Sequence, residues 1–279
     1  MKFLIIIPAH NEEQNIGFCL QSLVDQTFQD FKVVVVNDGS TDKTREIAEK
    51  FDIEHSQFSV LNLEKSEHSP GAKVVRTFNK GLEHENLNDF DIVCKFDADI
   101  IFPENYLDEV NKMYEKNPKA GMVSGLVFIE KNGGWQFENI SSKNHVRGPI
   151  KSYRKECFQA MNGLRAVLGW DNIDGMLAKM HGFEVVTLKE IWVKHLRPTA
   201  YKYKNQKAEK LGEYFYNIGL NFPLALISSA KSSFKNKSIS EFFIIINSFL
   251  KQKKERTLTK QEIRFIRNLR WKEMLNKIF

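Results

Sequence analysis

Short aliphatic runs alternate with helix-period segments through the first half of the chain. Leu4-Ile5-Ile6-Ile7 and Val33-Val34-Val35-Val36 are apolar throughout, the pattern of strands buried on both faces rather than of strands with one wet face. Strands are predicted over Lys2–Ile7, Phe31–Val36, Ser59–Leu63, Asp91–Phe96 and Gly121–Ile129. Helices are predicted between them, over Gln14–Asp25, Asp42–Phe51, Ala72–Glu83 and Glu104–Glu115. Buried strands joined by helices imply a parallel sheet covered on both sides. Past about residue 205 the pattern turns to helices alone, over Lys207–Leu220, Ser240–Leu250 and Thr259–Ile278, with Asn221–Ser229 left open.

Ligands of open α/β sheets bind beyond the carboxyl ends of the strands, and polar residues gather there. Pro8-Ala9-His10-Asn11-Glu12 follows the first strand, Asn37-Asp38-Gly39-Ser40-Thr41-Asp42 the second and Asp97-Ala98-Asp99 the fourth. An isolated Asp-x-Asp reads most plainly as a turn before the helix start at Pro103-Glu104. Side chains two apart on an extended chain point the same way, so Asp97 and Asp99 are expected to converge. Two anions at one point repel unless a hard divalent cation joins them, and such a cation keeps positions open for phosphate oxygens. A nucleotide diphosphate supplies those oxygens. Glu12 and Asp38 then accept hydrogen bonds from its base and ribose, while Thr41 and Asp42 cap the next helix. Gly71-Ala72-Lys73 opens a helix whose N-terminal N–H groups suit an anion, with Lys73 or Arg76 as a phosphate partner.

Composition narrows the classes. Cys19, Cys94 and Cys157 are scattered without metal-ligand spacing, which implies a reducing compartment and no disulfide framework. The N-terminal apolar run stops at Pro8 and no stretch is long enough to span a bilayer, so a cytoplasmic protein is expected. The net charge of +6 is uneven: from Lys231 onward 13 Lys and Arg face 4 Glu, leaving 28 basic against 31 acidic residues before it. The basic tail does not interleave aromatic residues on a sheet, which argues against a nucleic-acid module. Thr259–Ile278 instead forms a basic amphipathic helix, with Trp271 and Phe279 as anchors. Two uses of it stand open: lying in the headgroup plane of an anionic membrane, or docking on the main domain or on a second subunit.

Six stretches, in order, resemble the motifs of family 2 glycosyltransferases of the GT-A fold: IPAHNEEQNI, VVVNDGSTDKT, SPGAKVVRTFNKGL, FDADI, GWDNIDGMLAKMHGFEV and VKHLRP, together spanning about residues 1–200. The resemblance implies an α/β GT-A three-layer sandwich with a mainly parallel sheet, over residues 1–205, followed by a helical basic extension over 206–279. It also implies inverting transfer of a sugar from a nucleotide-sugar donor, a UDP-sugar above others, to a saccharide or lipid-linked acceptor, with Mn²⁺ or Mg²⁺ holding the diphosphate. Polysaccharide or glycolipid synthesis is the corresponding setting. Pro8, Ala9, Asn11, Glu12 and Asp38 would meet the base and ribose, joined by Gly71, Lys73, Asp97 and Ala98. Asp99 and His195 would hold the metal, and an imidazole ligand tilts the choice toward Mn²⁺. Asp171 matches the position of the general base that takes the acceptor proton. Trp170 stands where an acidic residue more often precedes that base, and Trp170 and Asp174 are placed with the acceptor.

Other readings fit less well. A haloacid-dehalogenase-like phosphatase carries its Asp pair after the first strand, not the fourth. A dehydrogenase needs G-x-G-x-x-G where this chain has PAHNEE, and a sugar nucleotidyltransferase needs a Gly-rich basic loop there. An inactive nucleotide-sugar-binding or membrane-associated protein is the remaining alternative.

Overall fold

A computed structural model describes residues 1–64, 71–197 and 204–276. Among these residues, nine strands form one sheet: β1 (Phe3–Ala9), β2 (Phe31–Asp38), β3 (Phe58–Leu63), β4 (Ile92–Phe96), β5 (Ile100–Ile101), β6 (Ala120–Lys131), β7 (Gly134–Phe137), β8 (Ile150–Arg154) and β9 (Glu184–His195). The order is β3-β2-β1-β4-β8-β6-β9-β5, with β7 paired to the far end of β6. Strands β1, β2, β3 and β4 are parallel. Strand β8 runs antiparallel to both its neighbours, which leaves β6 and β9 pointing the same way as β1.

Alternate residues of each strand enter opposite cores, as a period of two requires. Leu4, Ile6, Val34 and Val36 join one buried cluster, whereas Phe3, Ile5, Val33 and Val35 join the other. Helices α1 (Ile16–Val24), α2 (Thr44–Glu54) and α4 (Tyr106–Lys116) cover the second face, through residues such as Leu20, Ala48 and Tyr106. Helices α3 (Ala72–Glu83), α5 (Lys155–Ala160) and α6 (Trp170–Met180) cover the first, through Phe78, Phe158 and Leu177. The three layers and the first seven elements, β1 to β4 with α1, α2 and α3, agree with the sequence reading to within a few residues.

Three strands were not expected, β5, β7 and β8, while β9 extends back to Glu184 the run Ile191-Trp192-Val193-Lys194, which reads from sequence as a strand ending at His195. Strand β8 is the consequential one, because Lys151, Ser152, Tyr153 and Arg154 carry polar atoms that make it read as loop, although Lys151 and Ser152 are almost wholly buried. Its polar groups are satisfied inside: Ser152 donates to the Val123 carbonyl at 2.6 Å and the Arg154 guanidinium donates to the Tyr114 carbonyl at 2.6 Å.

The C-terminal helices are α7 (Lys204–Asn217), α8 (Phe222–Lys235), α9 (Ile239–Lys251) and α10 (Lys260–Leu275). The open stretch Asn221–Ser229 is thus helical, with Asn221 accepting the Leu224 N–H as N-cap. Phe215, Ile218, Leu224, Ile245 and Ile266 enter the same cluster as Trp170 and Leu177, so the extension is packed onto the α6 side of the sheet. The expected division after residue 205 adjoins residues 198–203, which lie outside the described residues.

Helix α10 corrects the membrane alternative for this segment. A capping box between Thr259 and Glu262 starts it, and the Glu262 carboxylate, nearly buried, receives Arg165 at 2.6 Å. Ile266 is fully buried, and Ile263, Leu269, Trp271 and Met274 pack on the same cluster. The apolar stripe therefore faces the domain. Ile278 and Phe279 of the expected helix lie outside the described residues.

Candidate active site

The carboxyl ends of β1, β2 and β4 open onto a cavity of about 310 Å³. Pro8, Ala9, Glu12, Asp38, Gly71, Lys73, Asp97, Ala98 and Asp99 line it, together with His10, Thr77 and Arg197. Asn11 does not. Its carboxamide oxygen accepts the Thr41 N–H at 2.8 Å and its own N–H reaches Ser40, so this side chain clips the loop after β1 to the loop after β2. Asn11 holds a positive φ of 55° to do so, a conformation Asn tolerates better than most residues. Asp42 ties the same loops: it accepts the backbone N–H groups of Glu13 and Thr44.

Each acid of the cavity meets its own partner. The buried Asp38 carboxylate accepts from Thr77 Oγ1 at 3.2 Å and pairs with Lys73 Nζ at 3.1 Å, so Lys73 is held beside this acid at the cavity wall. The Asp38 carbonyl takes the His10 ring N–H at 2.7 Å. Because a carbonyl only accepts, His10 carries a proton on Nδ1. Helix α3 begins at Gly71 with φ of 72°, where a Cβ would lie 2.9 Å from Leu168 Cα; only glycine lets this helix start close against the segment that leads into α6.

Asp97 and Asp99 do not share one extended face. They sit in the turn between β4 and β5, and each is matched by a different cation. Lys95, buried in β4, reaches across to the Asp97 carboxylate and to the Gly148 carbonyl. Asp99 meets His195 Nε2 at 3.4 Å and Arg197 at 3.2 Å, and Arg197 also pairs with Glu12. Burial works to raise the Asp99 carboxyl, but the His195 hydrogen bond and the charges of His195, Arg197 and Lys95 hold it below its ordinary value. Burial works to lower His195, yet hydrogen bonds to Asp99 and Glu138 and their charges carry it up to about 9. Behind it, Glu138 faces His195 Nδ1 at 3.4 Å and pairs with Arg147 at 2.8 Å. The register of β9 against β5 places His195 opposite Ile100, which is why a residue so distant in sequence arrives beside Asp99.

The donor set fits a divalent cation. Asp99 Oδ1 is buried and has no hydrogen-bond partner among the described residues, and His195 presents Nε2 to the other oxygen with Nδ1 oriented by a carboxylate, the usual support of a ligating imidazole. No cluster of three or more His, Cys, Asp or Glu suited to a metal occurs among the described residues.

Asp171, Trp170 and Asp174 occupy the start of α6 and behave differently from one another. Gly169 enters the helix at φ of 96°, in a place where a Cβ would run into the Tyr214 ring. The helix begins at Trp170, with Asp171 in its first turn. Asp174 is turned inward: Lys151 Nζ meets its two oxygens at 2.8 and 2.6 Å, and the Tyr153 hydroxyl donates to it at 2.6 Å. Burial and the Asp174 charge push the Tyr153 phenol far up, so it remains a donor. Trp170 is buried too, with Lys95 and Lys151 each 5.3 Å from its ring. Trp170 and Asp174, the two residues expected beside an acceptor, are thus both turned into the interior. Asp171 alone stays half-buried, beside Gly148, where an added Cβ would lie 3.8 Å from Asp171 Oδ2. Its carboxylate has no ion-pair partner among the described residues. Lys151 takes its backbone carbonyl instead, at 2.6 Å.

Sequence reasoning missed Lys95, Lys151, Thr77, Glu138, Arg147 and Arg197. Only two left a signal: a lysine inside the apolar run of β4, and an arginine two residues beyond His195.

With this geometry in place, the comparisons agree. The fold is GT-A: the chain superposes on TarS of Staphylococcus aureus in complex with UDP-GlcNAc at a TM-score of 0.64 and 20% identity, covering 89% of this chain and 79% of that one. It superposes on the mannosyltransferase PcManGT of Pyrobaculum calidifontis, in complex with GDP-Man and Mn²⁺, at 0.58 and 17%, covering 99% and 75%. Residues 4–165 match glycosyl transferase family 2, and the chain belongs to that family. It is 28% identical over 148 residues to glycosyltransferase GlyA of Streptococcus pneumoniae, covering 52% of this chain and 20% of that protein. It is 26% identical over 120 residues to poly-beta-1,6-N-acetyl-D-glucosamine synthase of Staphylococcus epidermidis, covering 43% and 27%. The chain thus spans a minor part of the length of these curated relatives. No helix among the described residues is long and apolar enough to cross a membrane.

Two outcomes follow from the charge pairs. Lys151→Met strands Asp174 in the core and should cost roughly 3–5 kcal/mol in urea unfolding, whereas Lys151→Met with Asp174→Leu should recover much of that loss. His195 binds its proton more tightly when folded. Its contribution in metal-free buffer is therefore complete below its ordinary value of 6.5 and is lost as pH rises through about 9. Thermal melts of the chain and of His195→Gln in chelator should converge over that window.

Proposed function

We propose that the chain transfers a sugar from a nucleotide-diphosphate sugar to an acceptor hydroxyl with inversion, and that a divalent metal assists. The observation that carries this reading is the pairing of a cavity edged by Asp97 and Asp99 with a separate, uncompensated carboxylate, Asp171, one glycine away. Asp38, set by Lys73 and Thr77, faces the base; Glu12 faces the ribose, and Asp97 and Ala98 border the donor's ribose side. The UDP-GlcNAc and GDP-Man held by TarS and PcManGT support a nucleotide-sugar ligand, and the glucosamine-polymer synthase among the relatives favours a UDP-sugar and polysaccharide or glycolipid synthesis. Residues 1–205 would form the transferase domain and 206–279 its helical extension.

Asp99 and His195 would hold Mn²⁺ or Mg²⁺, which supplies positive charge to the departing diphosphate. Arg197, exposed and within reach of Asp99 and Glu12, adds a second positive group at the same edge. In the first turn of α6, Asp171 sits at the positive end of the helix dipole, which favours an anion there, and its open carboxylate can accept the acceptor's proton as the new bond forms opposite the leaving group. The buried Lys151, Asp174 and Trp170 fix the turn that presents it.

Asp171→Asn should leave nucleotide–Mn²⁺ binding within a few-fold while lowering turnover by about 10²–10⁴, read by titration calorimetry and by transfer or slow hydrolysis of UDP-sugars. Collapse of nucleotide binding in this variant would remove Asp171 from the role of base. Asp99→Asn should keep the fold, by circular dichroism, but lose the extra thermal stabilisation that Mn²⁺ gives with UDP; an unchanged Mn²⁺ response would sink the metal assignment.

A further inference from the structure

Helices α8 and α9 turn the wrong residues outward. A surface helix normally buries its apolar stripe and exposes polar side chains. In α9, Ile239, Phe243, Ile246 and Leu250 recur at helical spacing along one face, yet Ile239 is 80% exposed, Phe243 64% and Leu250 60%. The buried side of α9 is a different one, through Ile245 and Phe249. In α8, Phe222, Leu226 and Phe234 follow one another around an exposed face, while Leu224, Ala225 and Ser229 pack inward. Phe234, at 89% exposure, and Ile239 flank the short turn that joins the two helices. The hairpin tip is thus apolar and uncovered.

Charge around this face has one sign. Lys231, Lys235, Lys237, Lys251, Lys253 and Lys254 are all exposed, against a single acid between residues 222 and 254, Glu241. That acid is not offered to solvent alone: it accepts from Ser232 at 2.9 Å and from both approaches of the Asn236 amide at 2.8 and 2.9 Å, which pins the turn. Protein–protein interface cores are depleted of lysine, whereas bulky apolar side chains rimmed by lysines match the boundary between acyl chains and anionic headgroups.

We propose that the α8–α9 hairpin is a membrane-docking surface, whose tip residues Phe234, Ile239 and Phe243 enter the headgroup–acyl boundary of an anionic bilayer while the lysines meet its phosphates. This replaces α10, whose apolar stripe is spent on the domain. That docking brings the transfer site to a lipid-linked acceptor rests on the functional reading above; docking itself needs no donor or acceptor, so the two can fail separately.

The test is flotation of the full chain with vesicles of phosphatidylglycerol and phosphatidylcholine, compared with vesicles of phosphatidylcholine alone. The chain should float with the anionic vesicles at low salt and not with the neutral ones. A variant carrying F234S, I239S and F243S, all at exposed positions, should keep its melting curve and partition at least about tenfold more weakly. A second variant, K231Q with K235Q and K237Q, should lose the dependence on anionic lipid and on salt. Absence of flotation at low salt overturns the proposal, as does undiminished flotation of the serine variant. A concentration-dependent dimer that the serine substitutions dissolve, without vesicle binding, assigns the face to a second copy instead.

Discussion

Six carboxylates brought to one edge of a sheet would repel unless each met a counter-charge, and that compensation shapes the site. Lys73 answers Asp38, Lys95 answers Asp97, Arg197 answers Glu12 and Asp99 together with His195, and Lys151 answers Asp174. Lys95 and Lys151 achieve this from inside the sheet, at a desolvation cost that only close, multiple hydrogen bonds offset. Lys151 makes three such contacts, two to Asp174 and one to the Asp171 carbonyl. Asp171 is the exception among the six, lacking a cation of its own among the described residues.

The cavity at the strand ends was largely legible in the sequence because most of its lining lies in loops that directly follow apolar strands. Leu4–Ile7 and Val33–Val36 announce buried strands, and Pro8, Glu12, Asp38, Asp97 and Asp99 follow at once. Their partners were hidden because pairing crosses the chain: Thr77 meets Asp38 across 39 residues and Arg197 meets Glu12 across 185. Strand β8 was illegible for another reason. Its burial depends on Lys151 and Tyr153 finding Asp174 in α6, and no local period records that. The same blindness hides the burial of Trp170 and Asp174, which look like loop residues beside Asp171 until the helix is seen to begin at Trp170.

In the extension, helix positions could be read from spacing, whereas the facing of each helix could not. Amphipathicity says that a stripe exists, not which neighbour covers it. The cleanest-looking membrane candidate, α10, is tied down by Arg165 on Glu262 and by burial of Ile266. The less conspicuous α8 and α9 keep only part of their apolar surface inside. Close approach decides this: Gly212 of α7 lies so near α9 that a Cβ would sit 2.6 Å from Ser248 Cβ. That contact commits α9 to α7 through the side bearing Ile245, Ser248 and Phe249, leaving Ile239, Phe243 and Leu250 outside.

The segment 147–150 joins the two halves of the site, and its geometry carries a mechanical consequence. Pro149 accepts the Asp97 N–H at 2.9 Å through its carbonyl, Gly148 accepts from Lys95 at 3.3 Å, and Arg147 pairs with Glu138 behind His195. Gly148 is at the same time the neighbour of Asp171 and Trp170. Three consecutive residues, 147 to 149, therefore touch Asp97, the Glu138 that supports His195, and Asp171. Because packed interiors transmit displacement rather than absorb it, a shift of this segment moves Asp97 and Asp171 together. The separation between Asp97 and Asp171 is thus set by one short, inextensible piece of backbone rather than by two independent loops.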